Sequence, residues 1–257
     1  MTDDTLFDVR GRVALVTGAS SGLGEHFARC LAARGAIVVA AARRADRLAQ
    51  LVAGIAAQGG QAHAITLDVV DPASVQAAVA RTNELAGPID ILVNNAGVAD
   101  TKSSLELTQE DWRRVLDTNL DGAFRVAQAV AKSMVAANRP GSLVNIASIL
   151  GLRQAAQLVA YAAAKAALVQ VTKSLALEWA RYGIRVNAIA PGYVITEMNR
   201  DFFASEPGQA MTGRIPQRRI GSPRDLEGAL LLLASGAGAY MTGSVVVVDG
   251  GHLVNSL

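Results

Sequence analysis

From residue 13 onward, short runs of β-branched residues alternate with longer stretches rich in Ala and Leu at helical spacing. This alternation is typical of βαβ units, in which helices join parallel strands and cover the sheet. Each short run is almost continuously apolar, as expected of strands buried on both faces. The seven predicted strands are 13–17, 37–41, 62–67, 89–94, 142–147, 185–190 and 244–248. The sequence therefore predicts an α/β fold with a doubly wound parallel sheet and helices on both faces.

Stretches with helical spacing lie between the predicted strands. Asp71 and Ser222 each precede a proline, which places a capping side chain before a residue suited to the first helical position. The six predicted helices are 22–34, 44–58, 72–86, 109–136, 160–182 and 223–234. No repeat and no Pro-, Ser- or charge-rich linker divides the chain, so we predict one domain over residues 1–257. Residues 197–220 follow no clear period, and we predict a mobile lid there.

Composition excludes several classes of protein. Apolar residues make up 51% of the chain and charged residues 18%, whereas disordered chains are poor in apolar residues and rich in charge. The 24 basic and 22 acidic residues form no long run of like charge, so we expect no nucleic-acid partner and no membrane partner. One cysteine, Cys30, and three scattered histidines exclude an intrachain disulfide and a zinc cluster. Since the start is acidic and no apolar run reaches about 18 residues, we expect a soluble, cytoplasmic protein.

Three glycines crowd the connection between the first predicted strand and the first predicted helix, in the spacing G-x-x-x-G-x-G. Glycine lets a chain turn sharply and approach a ligand closely, and the helix N-terminus offers free amide donors to a phosphate. An ordinary tight turn is the alternative, but the position after the first strand of a βαβ unit is the one that a dinucleotide requires. We therefore predict a cofactor-binding turn. Its residues are Gly18, Ser20, Ser21, Gly22, Leu23 and Gly24.

The end of the second predicted strand bears on the choice between NAD and NADP. An acidic residue there suits the ribose of NAD, whereas an arginine suits the 2′-phosphate of NADP. The chain has no acid at this point and continues from Ala42 to Arg43 and Arg44. We predict that Arg43 binds the phosphate and that NADP is preferred, with NAD as the other option. The alternative is a pair of solvated arginines at a helix start, and it applies more to Arg44 than to Arg43.

Tyr161 and Lys165 are four residues apart in an alanine-rich helical stretch, so both side chains leave the same face of the helix. A lysine is usually a solvated surface residue, but a charge among apolar neighbours needs a partner or a ligand. We expect the ammonium to lower the pKa of Tyr161 from about 10 and to fit the phenol for proton transfer.

Ser148 follows the fifth predicted strand, where open α/β sheets bind ligands and where its hydroxyl can orient a carbonyl oxygen. Alone, it would be an ordinary loop serine.

Together these motifs resemble one family. They are the glycine turn, residues 94–97 (Asn-Asn-Ala-Gly), Asn119, Ser148, the Tyr161/Lys165 pair and Pro191-Gly192. Their order is similar to that of the classical short-chain dehydrogenase/reductase family over essentially the whole chain. The resemblance implies a single Rossmann-type domain with seven parallel strands in the order 3-2-1-4-5-6-7, and a homotetramer that uses NAD or NADP. The dinucleotide-binding half would be about 1–140, and the catalytic and substrate half about 141–257.

The resemblance also implies roles for single residues. Asn119 joins Ser148, Tyr161 and Lys165 in a catalytic tetrad, where it holds a water that links Lys165 to solvent. Besides Tyr161 and Lys165, further cofactor contacts are implied at the ends of several strands. These residues are Asp68, Val69, Asn95, Ala96, Gly97, Pro191, Gly192, Val194 and Thr196. For residues 94 and 95 the alternative is a buried turn whose side chains satisfy backbone groups.

The reaction that the resemblance implies is hydride transfer between a nicotinamide and a carbonyl or secondary alcohol, as in ketone reductases, alcohol dehydrogenases and 3-oxoacyl reductases. The nicotinamide carries the hydride, while Tyr161 moves the proton, Ser148 binds the substrate oxygen and Lys165 binds the ribose. The residues expected to face the substrate are Ser148, Leu150, Gln154, Tyr161, Tyr193, Phe202 and Phe203. They indicate a mainly apolar pocket and leave small ketones, sugars, steroids and acyl ketoesters open.

Two other functions stay open. One is a non-catalytic nucleotide-binding protein that serves regulation or assembly, although an intact tetrad argues against it. The other is an epimerase or dehydratase that acts on nucleotide sugars, which resembles the extended branch of the same superfamily. That branch has a longer substrate region than the stretch after the sixth predicted strand can supply.

Overall fold

In the computed structural model, which describes residues 5–197 and 199–255, the apolar runs form one parallel sheet. The strands are β1 (Val13–Thr17), β2 (Ile37–Ala42), β3 (Gln61–Thr66), β4 (Ile91–Asn94), β5 (Gly141–Ile146), β6 (Ile184–Pro191) and β7 (Val245–Val248). Their order is β3-β2-β1-β4-β5-β6-β7, and every neighbouring pair is parallel. The predicted fold class and strand order are confirmed.

Helices cover both faces of this sheet. They are α1 (Gly22–Ala33), α2 (Ala45–Ala56), α3 (Pro72–Ala86), α4 (Gln109–Leu116), α5 (Ala123–Ala136), α6 (Val159–Trp179), α7 (Arg200–Ala204), α8 (Glu206–Thr212) and α9 (Glu227–Ala234). Side chains alternate along a strand, so Ala14 and Val16 pack in a core with α1, α2 and α9, whereas Val13 and Leu15 pack in a second core with α3, α5 and α6. No helix in the described ranges is long and apolar enough to cross a membrane.

The expectation that all strands are buried on both faces is wrong for β3 and β7. In β3 the side chains of Gln61, Ala64 and Thr66 are exposed, and most of β7 is half-buried. Each of these strands lies at an edge of the sheet with a neighbour on one side only. Water therefore reaches side chains that a central strand would bury.

Two predicted segments differ from the structure. The single helix predicted over 109–136 is interrupted between α4 and α5 by a π turn, Asp117–Gly122. A Cβ on Gly122 would lie 2.7 Å from Cγ2 of Val69, so the glycine allows the turn to pack closely against the end of β3. The segment 197–220, predicted as an irregular lid, contains the short helices α7 and α8. Periodicity does not reveal helices of five to seven residues.

The amino-terminal edge of the sheet holds a buried carboxylate and three arginines. Asp90 is 8% exposed and accepts hydrogen bonds from the backbone N–H of Val13 and from the guanidinium of Arg139, both at 2.9 Å. Arg12 donates to the carbonyl of Ala234 at 2.6 Å, and Arg185 donates to the carbonyl of Leu233 at 2.9 Å. These carbonyls belong to the C-terminus of α9, where the helix dipole favours cations. Every charge at this edge therefore has a partner in the fold.

Candidate active site

Two of the three glycines in the turn between β1 and α1 lie close to neighbouring backbone, and the third, Gly22, faces open space. Gly18 has φ +66° and Gly22 has φ +57°, both in the left-handed region. A Cβ on Gly18 would lie 2.9 Å from Cα of Ala96, and a Cβ on Gly24 would lie 2.3 Å from the carbonyl oxygen of Gly18. At Gly22 the nearest atom to such a Cβ is Cγ2 of Thr196 at 3.8 Å. Space is therefore left above the N-terminus of α1, where unpaired amides can bind a phosphate.

The two arginines after β2 differ in where their side chains go. Arg44, the N-cap residue of α2, donates to Oγ of Ser20 at 2.9 Å and to Oγ of Ser21 at 2.7 Å. The sequence favours Arg43 for the 2′-phosphate, but the structure brings Arg44 to the glycine turn. These contacts join residues 23 and 24 positions apart in the chain, and the residue types do not reveal them.

Asparagines at the end of β4 join the strands that carry the site. Oγ1 of Thr17 accepts from the backbone N–H of Asn95 at 2.9 Å, and Nδ2 of Asn95 donates to the carbonyl of Thr17 at 3.0 Å. Nδ2 of Asn94 donates to Oδ1 of Asn145 at 3.2 Å, and Asn145 donates in turn to Oγ1 of Thr172 on α6 at 2.9 Å. These contacts match the alternative of a buried turn that satisfies backbone groups. They also fix the glycine turn against β4.

At the end of β3, Asp68 and Val69 lie beside the π turn. Oδ1 of Asp68 accepts from the backbone N–H of Val70 at 3.0 Å, which closes a tight turn. Val69 is 6% exposed and packs on Gly122. The backbone of both residues therefore has a fixed position at the carboxyl edge of the sheet.

Ser148, Tyr161 and Lys165 meet at the carboxyl ends of β5 and β6. Oγ of Ser148 accepts from the backbone N–H of Leu150 at 3.1 Å, and its side chain is close enough to Tyr161 to influence the pKa of the phenol. Nζ of Lys165 lies 5.6 Å from the centroid of the Tyr161 ring and donates to the carbonyl of Ile146 at 2.6 Å. Lys165 is 4% exposed, so it is not the solvated surface lysine of the alternative interpretation.

Burial decides the ionisation of this pair. It lowers the pKa of Lys165 to about 8, because a buried ammonium loses its hydration. Burial raises the pKa of Tyr161, and the nearby Ser148 side chain only partly opposes this change. The expectation that Lys165 lowers the pKa of Tyr161 is wrong, because desolvation raises the pKa of the phenol while the Lys165 ammonium donates to the carbonyl of Ile146.

Asn119 is completely buried in the π turn. Its Oδ1 accepts from the backbone N–H of Val98 at 2.8 Å, and its Nδ2 donates to the carbonyl of Val98 at 2.7 Å. The side chain therefore anchors the loop after β4 to the π turn.

The segment after β6 is fixed by a residue that sequence reasoning missed. Asn199 donates from Nδ2 to the carbonyl of Val194 at 2.9 Å and accepts at Oδ1 from the backbone N–H of Thr196 at 2.7 Å. Gly192 donates to the carbonyl of Val248 at 2.9 Å. Together these bonds hold Thr196 close to the open glycine, Gly22.

The residues predicted to face the substrate fall into two groups. Leu150 and Phe203 are buried, whereas Gln154 and Phe202 are exposed. The ring of Tyr193 is half-buried and contacts Phe203, with the ring centroids 5.7 Å apart. Tyr193 also contacts His252, at 5.3 Å between centroids, and Arg153 donates a hydrogen bond to the carbonyl of His252. Neither His252 nor Arg153 belongs to a motif, so sequence reasoning missed both.

Comparisons with known proteins cover nearly the whole chain. A family model described as enoyl-(acyl carrier protein) reductase matches residues 18–252. Gluconate 5-dehydrogenase of Gluconobacter oxydans (strain 621H) is 38% identical over 256 residues, which cover 99% of this chain and 100% of that protein. D-threitol dehydrogenase of Mycolicibacterium smegmatis (strain ATCC 700084 / mc(2)155) is 41% identical over 250 residues and covers 96% of both chains.

A solved structure gives the same result for the fold. The crystal structure of a gluconate 5-dehydrogenase from Burkholderia cenocepacia J2315, in complex with NADP and tartrate, has a TM-score of 0.94 and 37% sequence identity. The similarity covers 98% of this chain and 99% of that chain. Similarity in sequence and in structure therefore extends over both the glycine turn and the residues around Tyr161.

Proposed function

This chain belongs to the short-chain dehydrogenase/reductase family, and we propose that it is an NADP-preferring enzyme that interconverts a secondary alcohol and a carbonyl compound. The observation that carries the proposal is that Ser148, Tyr161 and Lys165 come together at the sheet edge that also carries an open glycine turn. Such a combination of a dinucleotide cradle and a proton-transfer group is what hydride transfer requires.

The residues present fit a dinucleotide. The space above Gly22 and the N-terminus of α1 suits the pyrophosphate, and we assign the nicotinamide end to Thr196 and the backbone of Val194. Asp68 and Val69 suit the adenine, and residues 95–97 suit the adenosine ribose. When bound, the nicotinamide supplies the hydride to the carbonyl carbon or accepts it from the alcohol carbon. Lys165 has N–H donors beyond the one bound to Ile146, and we assign one of them to the nicotinamide ribose.

Proton transfer follows from the two pKa shifts. Because its pKa is raised, Tyr161 is protonated at neutral pH and can donate its proton to a substrate oxygen that gains negative charge. Ser148, whose side chain lies close to Tyr161, orients that oxygen. Lys165 has a pKa of about 8 and can return a proton to the phenol near neutral pH, through a water at the π turn that carries Asn119. In the oxidising direction the same groups act in reverse.

Arg44 supports the preference for NADP. Its guanidinium lies on Ser20 and Ser21, at the turn where the adenosine end of the cofactor would lie, and neither Ala42 nor Arg43 is an acid that would repel a phosphate. We therefore assign the 2′-phosphate to Arg44, with the neighbouring Arg43 as a second cation. Binding of NADP by the similar Burkholderia enzyme is consistent with this assignment.

The proposal is tested by following NADPH and NADH absorbance with a panel of alcohols and ketones. We expect turnover with at least one class of secondary alcohol or its ketone, and faster turnover with NADP(H) than with NAD(H). Tight cofactor binding without turnover of any compound in either direction would instead favour the non-catalytic nucleotide-binding protein. Activity only as an epimerase or dehydratase would favour the third function.

We also propose a cytoplasmic homotetramer that acts on a small molecule without a nucleic-acid or membrane partner. An exposed apolar groove on α5 and α6, lined by Phe124, Val135, Trp179 and Tyr182, supports self-association. Lys132 and Glu178 line the same groove and can pair between two copies related by a two-fold axis. Light scattering coupled to gel filtration measures the number of subunits.

A further inference from the structure

A group of three polar side chains lies beside the residues assigned to catalysis, and the function proposed above does not use it. We name it the Arg153 cluster, and it consists of Arg153, Tyr193 and His252. Arg153 donates to the carbonyl of His252, and the His252 ring lies 5.3 Å from the Tyr193 ring between centroids. Arg153 is close enough to influence the pKa of both neighbours. The three side chains therefore form one contiguous group.

The Arg153 guanidinium forms no salt bridge within the described part of the protein, although Asp249 is close enough to influence the pKa of His252. No carboxylate in residues 5–197 and 199–255 lies within 4.0 Å of the Arg153 guanidinium. The acid of the adjoining segment, Asp249, accepts from the backbone N–H of Gly251 at 2.8 Å and from that of Leu253 at 2.5 Å. A guanidinium has five N–H donors, and the bond to His252 uses one of them. Donors are left for an anion.

A second observation also points to a ligand. Nδ1 of His252 is buried and has no hydrogen-bond partner among the described residues. A buried polar atom without a partner costs free energy, so this atom is available to a bound ligand or to water. Burial raises the pKa of the Tyr193 hydroxyl, which therefore stays a neutral donor at physiological pH.

The backbone fixes this cluster relative to Ser148. The turn Ile149–Gly151 joins them, with the backbone N–H of Arg153 donating to the carbonyl of Ile149 at 2.8 Å. A Cβ on Gly151 would lie 2.7 Å from the carbonyl oxygen of Lys165, so the turn packs directly on α6. Tyr193 follows Pro191 and Gly192 at the end of β6. The cluster therefore lies at the same carboxyl edge of the sheet as the catalytic side chains.

We propose that the Arg153 cluster binds the carboxylate of the substrate, so that the enzyme acts on hydroxy acids and keto acids, such as sugar acids, in preference to neutral polyols. The inference rests on the proposed function, because it places the acid group at the same carboxyl edge of the sheet as the carbon that reacts. Overall similarity does not decide this point, since relatives of nearly equal identity are named for gluconate, an acid, and for threitol, a neutral polyol. Arg153 decides it through its planar fork of donors, which matches the two oxygens of a carboxylate.

Matched pairs of ligands test the proposal. D-gluconate and D-glucitol differ only in a carboxylate against a hydroxymethyl group, and D-threonate and D-threitol form a shorter pair. Binding is measured by calorimetry on the full-length enzyme with NADPH, because an alcohol cannot react with the reduced cofactor. In at least one pair we expect the acid to bind about 10- to 100-fold more tightly, as one good charge-assisted contact provides. If neither acid binds more tightly than its polyol, the proposal is wrong.

Variants separate recognition from a structural role of Arg153. In Arg153→Gln we expect the preference for the acid to disappear, and in Arg153→Lys we expect it to persist in part, because the charge remains without the fork. Arg81→Gln, at an exposed arginine of α3, is the matched control and should keep the full preference. An equal loss of acid and polyol binding in Arg153→Gln, with a lower melting temperature, would show that Arg153 only clamps His252.

A phosphate ligand and turnover assays separate the remaining outcomes. D-glucitol 6-phosphate carries a phosphate but no carboxylate, and if it binds while both acids do not, the site is one for phosphate. Turnover of neutral alcohols without a preference for acids would overturn this inference and leave the proposed oxidoreductase intact. Arg153-dependent binding of an acid, with no reduction of NADP or NAD by any alcohol, would support the site and contradict the proposed function.

Discussion

At the amino-terminal edge of the sheet, both carboxylate oxygens of Asp90 accept hydrogen bonds, and the arginines around it donate to the C-terminus of α9. At the carboxyl edge, the ammonium of Lys165 is buried as deeply but donates only to Ile146 in the part of the chain that the structure describes. Both edges remove a charge from water. One edge satisfies that charge within the protein, and the other leaves donors unused.

The difference between the two edges predicts which substitutions change stability and which change activity. A buried charge whose partners are all in place stabilises the arrangement around it, because the loss of one partner leaves the others unsatisfied. A buried donor without a complete set of partners is costly in the free protein and gains its partner from a ligand. We therefore expect substitutions at the amino-terminal edge to change the free energy of unfolding, and substitutions at the carboxyl edge to change turnover.

The largest expected effect is that of Tyr161→Phe on turnover. Loss of the phenolic hydroxyl removes the group that transfers the proton, which is worth about 10²- to 10⁴-fold in kcat. Cofactor binding, measured by fluorescence titration, should change little, because the ring remains. Comparable turnover in the variant would contradict the assigned role. A large fall in its melting temperature would contradict the expectation that substitutions at the carboxyl edge change turnover and not stability.

Asp90→Ala should have the opposite profile. It leaves the backbone N–H of Val13 and the guanidinium of Arg139 without their acceptor, so we expect a loss of about 2 to 3 kcal/mol in the free energy of unfolding. Arg139 is half-exposed, which keeps the loss below that of a fully buried pair. Denaturant titration measures the loss, and Glu84→Ala, at an exposed ion pair, is the control with little change. A kcat that falls as strongly as in Tyr161→Phe would count against the comparison.

Cofactor choice sharpens the comparison within the carboxyl edge. Arg44→Ala should lower kcat/KM for NADPH by about 10- to 100-fold, the value of one charge-assisted contact to a phosphate. The same variant should leave kcat/KM for NADH nearly unchanged, and Arg43→Ala should have the smaller effect of the two. The pair Ala42→Asp with Arg44→Ala should then favour NADH. If Arg43→Ala is the more damaging change, the 2′-phosphate belongs to Arg43.

The smallest effect is a change with pH. Since the pKa of Lys165 is about 8, kcat/KM for reduction with NADPH should fall as the pH rises past 8, by about fivefold from pH 8 to pH 9. The stability contribution of Lys165 has the opposite sign. Its pKa is lower in the folded protein than in the unfolded chain, so the unfolded state binds more protons above pH 8 and the folded state gains stability there. Parallel pH series of activity and of thermal unfolding, with Lys165→Met as the reference for unfolding, measure both trends; activity that stays constant to pH 9.5 contradicts the first.

Regular patterns in the sequence predict the frame of the molecule well. Apolar runs locate all seven strands to within two residues at each end, because burial between two layers of helices demands continuous apolar sequence. The spacing of Tyr161 and Lys165 predicts that both side chains leave one face of the helix, and the Lys165 ammonium does lie 5.6 Å from the centroid of the Tyr161 ring. The π turn escapes prediction because its cause lies in packing against Val69, which is distant in the sequence.

Features that depend on the direction of a single side chain are predicted poorly. Arg43 and Arg44 are neighbours of the same type, and only the cap geometry of α2 separates them. The pKa of Tyr161 moves opposite to the expectation because the depth of burial is set by the tertiary structure, not by the neighbouring alanines. Arg153 and His252 come together from positions 99 residues apart, and no local pattern signals their contact.

For directed evolution of cofactor use, the three glycines of the turn after β1 are unequal targets. A library at Gly24 would consist mostly of misfolded members, because any side chain there would meet the carbonyl oxygen of Gly18 at 2.3 Å. Gly18 is restricted both by the backbone of Ala96 and by its φ of +66°. At Gly22 a side chain would instead meet open space, so a residue that tolerates a φ of +57°, such as Asn, could fold and yet obstruct the phosphate. A selection for folding and a selection for activity would therefore enrich different residues at Gly22 and the same residue at Gly24.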